Sequence, residues 1–408
     1  MAGPSLRESP SRTLALQRLA AFVPLAGRTY SAKRNFDLGP GQNRYVSGLS
    51  PEIRHRLITE EEVVAAVLKA HTAAAAEKFI QEVCWRTYWK GWLEQRPQVW
   101  ADYVTAVEAA RGDDGLAAEL AAAERGDTGL ACFDAWAREL VETGYLHNHT
   151  RMWFASIWIF TLRLPWALGA DFFLRHLLDG DPASNTLSWR WVAGLHTHGK
   201  TYLARPDNIA TYTEGRFAPE RHDLAPFAIA LDEGVVYERV AIRPPDVAPA
   251  GARIVLLVTE DDLTPESWPL PDVDVGAIAV YQPLDVGPRR STLVQAYKTA
   301  AMADASARAQ GHWGAPVETV SSVEDLIAVA RTNAADAIMT AHVLVGYLRT
   351  ELDRWAEPLS AEGLPLLQIA RRWDTLFWPH AKAGFFQLKD RIPAVLTKLG
   401  LQVANPKS

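Results

Sequence analysis

Residues 144–209 hold the densest set of side chains able to do chemistry. An Asp179–Gly180–Asp181 turn closes an apolar helix, Asn185 follows four residues later, and Trp189 and Trp191 stand two apart just beyond. Large aromatics beside fixed carboxylates and amides suit a planar heteroaromatic ligand, because stacking holds its faces while the polar groups read its edges. Other chemistries fit less well. The pairs His147/His149 and His196/His198 lack the i, i+4 spacing of helical metal ligands and have no carboxylate set nearby, so no metal is expected. Ser47 and Ser50 do not lie in a Gly-x-Ser-x-Gly elbow. Gly39–Pro40–Gly41 lacks a third glycine and a preceding strand, so it reads as a turn and not as a dinucleotide fingerprint.

The elements around these residues change character along the chain. Up to about residue 220 the signals are helical. Thr59–Glu62 forms a capping box ahead of Val63, Val64, Val67 and Leu68, and Ala74–Glu94 continues with helix formers and no glycine until Gly91. Leu116–Glu124, Phe133–Val141, Arg151–Leu164 and Asp171–Leu178 also read as helices. Beyond about 245 the apolar runs Ile254–Val258, Val275–Tyr281 and Ala337–Met339 read as buried strands, and Ser291–Ala309 and Val323–Arg331 as helices between them, a parallel α/β layer. The first strand leads into Thr259–Glu260–Asp261–Asp262 and not into a glycine-rich loop, so a pyrophosphate would be repelled there. The expected division is a flexible N-terminus (1–12), a helical domain (13–217), a proline-rich linker (218–252), an α/β domain (253–400) and a tail (401–408).

Composition bounds the rest. The chain has 408 residues, 48% hydrophobic and 22% charged, with a net charge of −6. That describes a globular protein of two or three domains whose surface is not basic throughout. Two cysteines cannot build a disulfide framework, the first residues hold no signal-peptide stretch, and Arg163 and Pro165 interrupt the most apolar run, so a cytoplasmic protein without membrane partners is expected. Tryptophan is the outlier: ten of 15 lie between Trp85 and Trp191.

Four ordered blocks resemble the photolyase/cryptochrome family of flavoproteins: Ser47–Gly48–Leu49–Ser50–Pro51, Glu82–Val83–Cys84–Trp85–Arg86, Thr143–Met152, and Asp179 through Trp191. Together they span roughly residues 13–215. The resemblance implies a mainly α FAD-binding domain, followed here by a smaller Rossmann-like α/β domain. It places Ser47, Leu49 and Ser50 at the FAD phosphates, Arg86 near them or the flavin, Arg151 by the flavin ring, Asp179 and Asp181 at the ring edge and ribityl side, and Asn185 facing flavin N5. Glu82, Trp85, Asn148, Met152 and Trp191 would line a cavity for a flipped pyrimidine dimer. Trp189 and Trp166 would relay electrons to the flavin, and Trp92, Trp100, Trp153 or Trp158 would stand in for a distal member that is not matched.

The implied activity is blue-light-driven splitting of UV-induced pyrimidine dimers in DNA by reduced FAD. The alternative is a cryptochrome-like photoreceptor, or a DNA-binding flavoprotein without repair. His149 replaces a family arginine at the lesion side, which weakens a phosphate contact near neutral pH and points toward single-stranded DNA. Thr161 replaces the aspartate that usually pairs with the flavin arginine. The family's α/β antenna domain precedes its FAD domain, whereas here an α/β segment follows it. No antenna-binding motif is apparent, so the antenna chromophore is left unassigned. Residues 253–400 are a rearranged counterpart of that antenna domain or, equally, a separately acquired or degenerate α/β domain, and a candidate surface for a protein partner or a second copy.

Overall fold

The computed structural model describes residues 9–282 and 287–401. The expected tail and most of the expected flexible N-terminus lie outside the described residues. Ser11 and Arg12, at the end of that N-terminal stretch, are fixed: Ser11 Oγ caps the first helix, and Arg12 pairs with Glu62.

The first half is helical. Its helices are α1 (Arg12–Phe22), α2 (Arg28–Lys33), α3 (Ser50–Arg54), α4 (Glu60–Ala70), α5 (Ala73–Glu94), α6 (Gln98–Arg111), α7 (Ala117–Arg125) and α8 (Ala131–Thr143). They continue as α9 (Asn148–Ser156), α10 (Trp166–His176), α11 (Pro182–Val192) and α12 (Pro206–Tyr212). The capping box forms as the sequence predicts, with Thr59 Oγ1 accepting from Glu62 N and the Glu62 carboxylate accepting from Thr59 N. The helix expected over 151–164 is shorter. After α9 the backbone widens to a π turn at Ile157–Thr161 and stops before Pro165, whose ring cannot continue a helix.

The second half holds β1 (Arg253–Val258), β2 (Asp274–Tyr281), α13 (Thr292–Trp313), β3 (Val317–Val320), α14 (Val323–Thr332), β4 (Ala337–Ala341), α15 (Tyr347–Ala361) and β5 (Leu366–Ile369). The strands pair in parallel, in the order β3-β2-β1-β4-β5. Central strands buried on both faces read as unbroken apolar runs, which is why β1, β2 and β4 are visible in the sequence. The edge strands β3 and β5 are four residues each. β3 is half polar and β5 carries Gln368, and such short, polar edges escape a pattern search.

Three short helices follow: α16 (Arg372–Phe377), α17 (Phe385–Lys389) and α18 (Ile392–Lys398). They return to the helical half, where α16 and α17 pack on α5. One continuous core joins α1–α12, one face of the sheet (Ile254, Leu256, Val258) and this return. The opposite face (Val255, Leu257, Ile338) packs under α14 and α15. The stretch 218–252 has neither helix nor strand. It lies as a strap across the surface, where Leu231 N donates to Ala193 O, Val240 N to Gln95 O, and Asp246 N to Gln368 O.

Close packing explains why α5 carries a glycine, Gly91, in its last turn. A Cβ there would lie 2.6 Å from Trp378 Cδ1 and 2.9 Å from Trp378 Cα, so backbone from the C-terminal return sits directly on the helix. Helix propensity alone favours Gly91→Ala by about 1 kcal/mol. We expect the reverse, a destabilisation of about 1–3 kcal/mol from forced separation of the two segments, read as a lower urea midpoint. A rise in the midpoint would contradict this packing.

Candidate functional site

α11 packs against α5, α9 and α10, and this brings together residues far apart in sequence. Asp181 is the N-cap of α11: its Oδ1 accepts from Ala183 N at 2.8 Å and Ser184 N at 3.0 Å. Pro182 at the first helical position fixes the entry. The other oxygen of Asp181 accepts from Arg86 Nη1 at 3.1 Å. Asp179 accepts from Arg151 Nη1 at 3.0 Å and lies 3.7 Å from Arg86 Nη2. Two guanidinium groups, from α5 and α9, thus meet two carboxylates at the head of α11.

Both carboxylates are buried, which pushes their pKa values up. The cations overcome this. Lys90, Arg86, Arg54 and the Ser184 N–H hold Asp181 down to about 2, and Arg151, Arg86 and Ser50 hold Asp179 below the usual range. The sequence leaves Arg151 without its usual aspartate. The structure supplies Asp179 as its partner, while Thr161 turns away and accepts from Ala225 N at 3.0 Å.

The remaining expected cofactor residues divide. Ser47 Oγ accepts from Leu49 N at 3.3 Å and shapes the turn into α3, and Leu49 is buried. Ser50, beside Asp179, is part of the cluster. Asn185 is buried, and its side-chain N–H donates to Ala170 O at 2.8 Å, which ties α11 to α10. Ser184, which no sequence pattern singles out, presents in the first turn of α11 a buried hydroxyl with no hydrogen-bond partner among the described residues.

This donor set fits a flavin nucleotide. Arg86 and Arg151 can meet phosphate or ring oxygens, Asp179 and Asp181 can accept from ribityl hydroxyls or ring N–H, and Ser184 offers an unspent hydroxyl at the same place.

Of the expected substrate residues, Glu82, Trp85, Met152 and Trp191 are part-exposed and Asn148 is exposed. Glu82 lies 3.4 Å from Arg34 Nε. Trp191 stacks on Tyr202 with centroids 5.8 Å apart. Trp85 is not open on both faces. Phe385 of α17 stacks on it at 3.8 Å and 12°, a contact between residues 300 apart that no local pattern announces. His149 Nδ1–H donates to Asn35 O (3.0 Å), and its ring lies 4.2 Å from that of Trp153, tilted by 31°. Burial lowers its pKa, so it is neutral near pH 7. It also lines a shallow groove of about 420 Å³ with Tyr202, Arg205 and Asn208.

The expected relay tryptophans have different ring neighbours. Trp189 is buried against Phe154, Phe173 and Trp158, the last at 6.2 Å and 87°. Trp166 instead packs on Tyr103 at 5.6 Å, and Tyr103 on Trp100 at 5.1 Å. Trp153 stacks on Trp136, and Trp92 lies under Arg96.

Residues 79–219 match the FAD binding domain of DNA photolyase. The chain is 36% identical over 176 residues to the deoxyribodipyrimidine photo-lyase of Streptomyces griseus, covering 40% of this chain and 38% of that protein. It is 30% identical over 294 residues to that of Agrobacterium fabrum, covering 67% and 56%. A bacterial class III photolyase from Agrobacterium tumefaciens superposes with a TM-score of 0.42 and 27% identity over 53% of this chain and 46% of that one. The matches thus span only about two fifths to a little over half of these proteins' lengths.

The lowered carboxylates predict an acid dependence. A depressed pKa in the fold contributes stability that is present above pH ~4 and is lost as the pH falls toward ~2. Asp181→Asn keeps a competent cap but removes the charge facing Arg86. It should cost about 2 kcal/mol at pH 7, and the gap to the unsubstituted protein should shrink by about pH 3 in urea titrations. A gap independent of pH would show that the Asp181 charge does not matter.

Proposed function

From its membership in the photolyase/cryptochrome family, carried by residues 79–219, we propose that this chain binds FAD at the head of α11 and repairs UV-induced pyrimidine dimers in DNA under blue light. The observation that carries the reading is the meeting of Arg86, Arg151, Asp179 and Asp181 at the head of α11, with the part-exposed Trp85 next to Arg86 on α5. Bound FAD, reduced and excited by light, supplies the electron that splits the dimer. The side chains bind and orient. Arg86, with Ser47 and Ser50, takes the phosphates, Arg151 and Asp179 fix the ring edge, and Asp181 holds the ribityl side.

Asn185, anchored through its N–H to Ala170 O, is left with its carbonyl oxygen to meet flavin N5. An extruded dimer loses its base stacking, and Trp191, Trp85 and Met152 replace it with apolar walls, while Glu82 and Asn148 offer polar atoms to the base edges. The neutral His149 withholds a cation from the phosphates, which favours a single strand over a duplex. For photoreduction the proposed route is Trp189 and Trp166, with Tyr103 and Trp100 next in the chain of ring contacts from Trp166.

One observation favours a second reading. Phe385 already occupies a face of Trp85, which suits a cryptochrome-like photoreceptor whose pocket stays closed to DNA.

The test is direct. Purified protein should be yellow and release FAD on denaturation, and irradiated oligothymidine should regain its ultraviolet absorbance under blue light with the reduced protein. Trp191→Ala should weaken binding of the irradiated strand about tenfold, in line with removal of one base–aromatic stack, and should leave the flavin in place. Protein that stays colourless after reconstitution would remove the proposal. Flavin-loaded, reduced protein that leaves the dimers intact would select the photoreceptor reading.

A further inference from the structure

The C-terminal return presents a surface unlike the rest of this acidic chain. Arg372, Lys382, Arg391 and Lys398 are exposed, and the exposed acid among residues 372–398 is Asp390. Asp374 is buried and committed to Arg56. Lys389 pairs with Glu77 at 3.4 Å. Burial lowers the His380 pKa, and the charges acting on it are Arg391, Lys398 and Lys382, all cations. Arg96 joins the group from the helical half by donating to Lys382 O at 2.7 Å. Against a net charge of −6 for the chain, this is a local concentration of positive potential.

An aromatic pair stands in the middle of it. Gly384 caps α17, Phe385 turns inward onto Trp85, and Phe386 turns outward, 75% exposed. It is the exposed large hydrophobic side chain of residues 372–401. A single protruding ring flanked by cations is poorly suited to a lipid surface, which needs an apolar face. It is also poorly suited to a duplex, whose base faces are covered. It matches an unpaired strand, where a ring stacks on a base while cations meet the phosphates on either side.

We propose that the exposed face of α16–α18 is a docking surface for single-stranded DNA. Phe386 stacks on a base, and Lys382 and Arg391 neutralise phosphates. This rests on the reading of the chain as a DNA-repair flavoprotein and assigns part of substrate binding to residues outside the matched stretch 79–219.

The experiment uses the full chain and an undamaged, fluorescein-labelled sixteen-residue oligothymidine, followed by anisotropy at several salt concentrations. Phe386→Ala should weaken binding about tenfold. Lys382→Glu with Arg391→Glu should weaken it further and flatten the dependence of log affinity on log salt by about 0.7 for each phosphate no longer neutralised. All three positions are exposed, so flavin content and urea midpoint should not change. Unchanged affinity and slope in both variants would overturn the proposal. So would a protein that does not hold the undamaged strand, or an effect of the variants confined to phosphatidylglycerol vesicles. Protein that carries FAD and repairs dimers while the variants bind normally would sink this inference alone. Protein without FAD would sink the repair reading, and the oligonucleotide measurement would still decide the surface.

Discussion

The architecture hangs on a buried set of charges at the junction of its two halves. Arg56 donates both 2.8 Å bonds of a bidentate pair to Asp374 and reaches Glu60 at 3.2 Å and Asp262 at 3.3 Å. Arg371 covers the second side of Asp262, and Lys90 lies 3.5 Å from Glu60. Two residues earlier, Arg54 meets Asp261 at 2.7 Å and the Gly180 carbonyl at 3.0 Å. Ions this deep are tolerable only when each is paired, since removing one leaves its partners stranded in a medium that cannot solvate them. Arg56 also holds a left-handed backbone, φ 49°, which a residue with a Cβ adopts at a cost of about 1–2 kcal/mol. The surrounding carboxylates keep it there.

This junction also accounts for the acidic turn after β1. In a doubly wound sheet the crevice beyond the strand ends, where the order reverses, is the usual ligand position. Here the reversal lies between β1 and β4, and the crevice is filled from within. Arg54 and His55 reach Asp261 and the Glu260 carbonyl, while Glu94 accepts from Val345 N at 2.7 Å and pairs with His342 at 2.9 Å. The carboxylates of residues 260–262 serve as anchors for the helical half. Because Arg54 binds both Asp261 and Gly180, the sheet and the Asp179–Asp181 turn are positioned by one side chain.

Much of this is legible in the sequence because it depends on local or periodic signals. The capping box at Thr59, the central strands and the crossover helices α13 and α14 each follow from residues a few positions apart. The convergence of Arg86, Arg151, Asp179 and Asp181 can be anticipated only through resemblance, since nothing in the spacing of α5, α9 and α11 fixes how they cross. The stack of Phe385 on Trp85, the Asp179 partner of Arg151 and the charge junction cannot be anticipated. They join segments by packing alone, and the polar edge strands carry no period strong enough to reveal the sheet's full width.

The approach of Trp378 to Gly91 and of Phe385 to Trp85 has a consequence for the order of events in synthesis. α5 emerges early and carries Arg86 and Trp85, but the surface that completes its packing is encoded about 290–300 residues later. Contacts of such separation close some of the longest loops in the chain and form late. Until α16 and α17 leave the ribosome, a tryptophan-rich helix and the Arg56 ion set wait uncovered, although the Arg86–Asp181 and Arg151–Asp179 pairs can already form. The wall of the pocket at Trp85 is therefore the part of the site that is completed late.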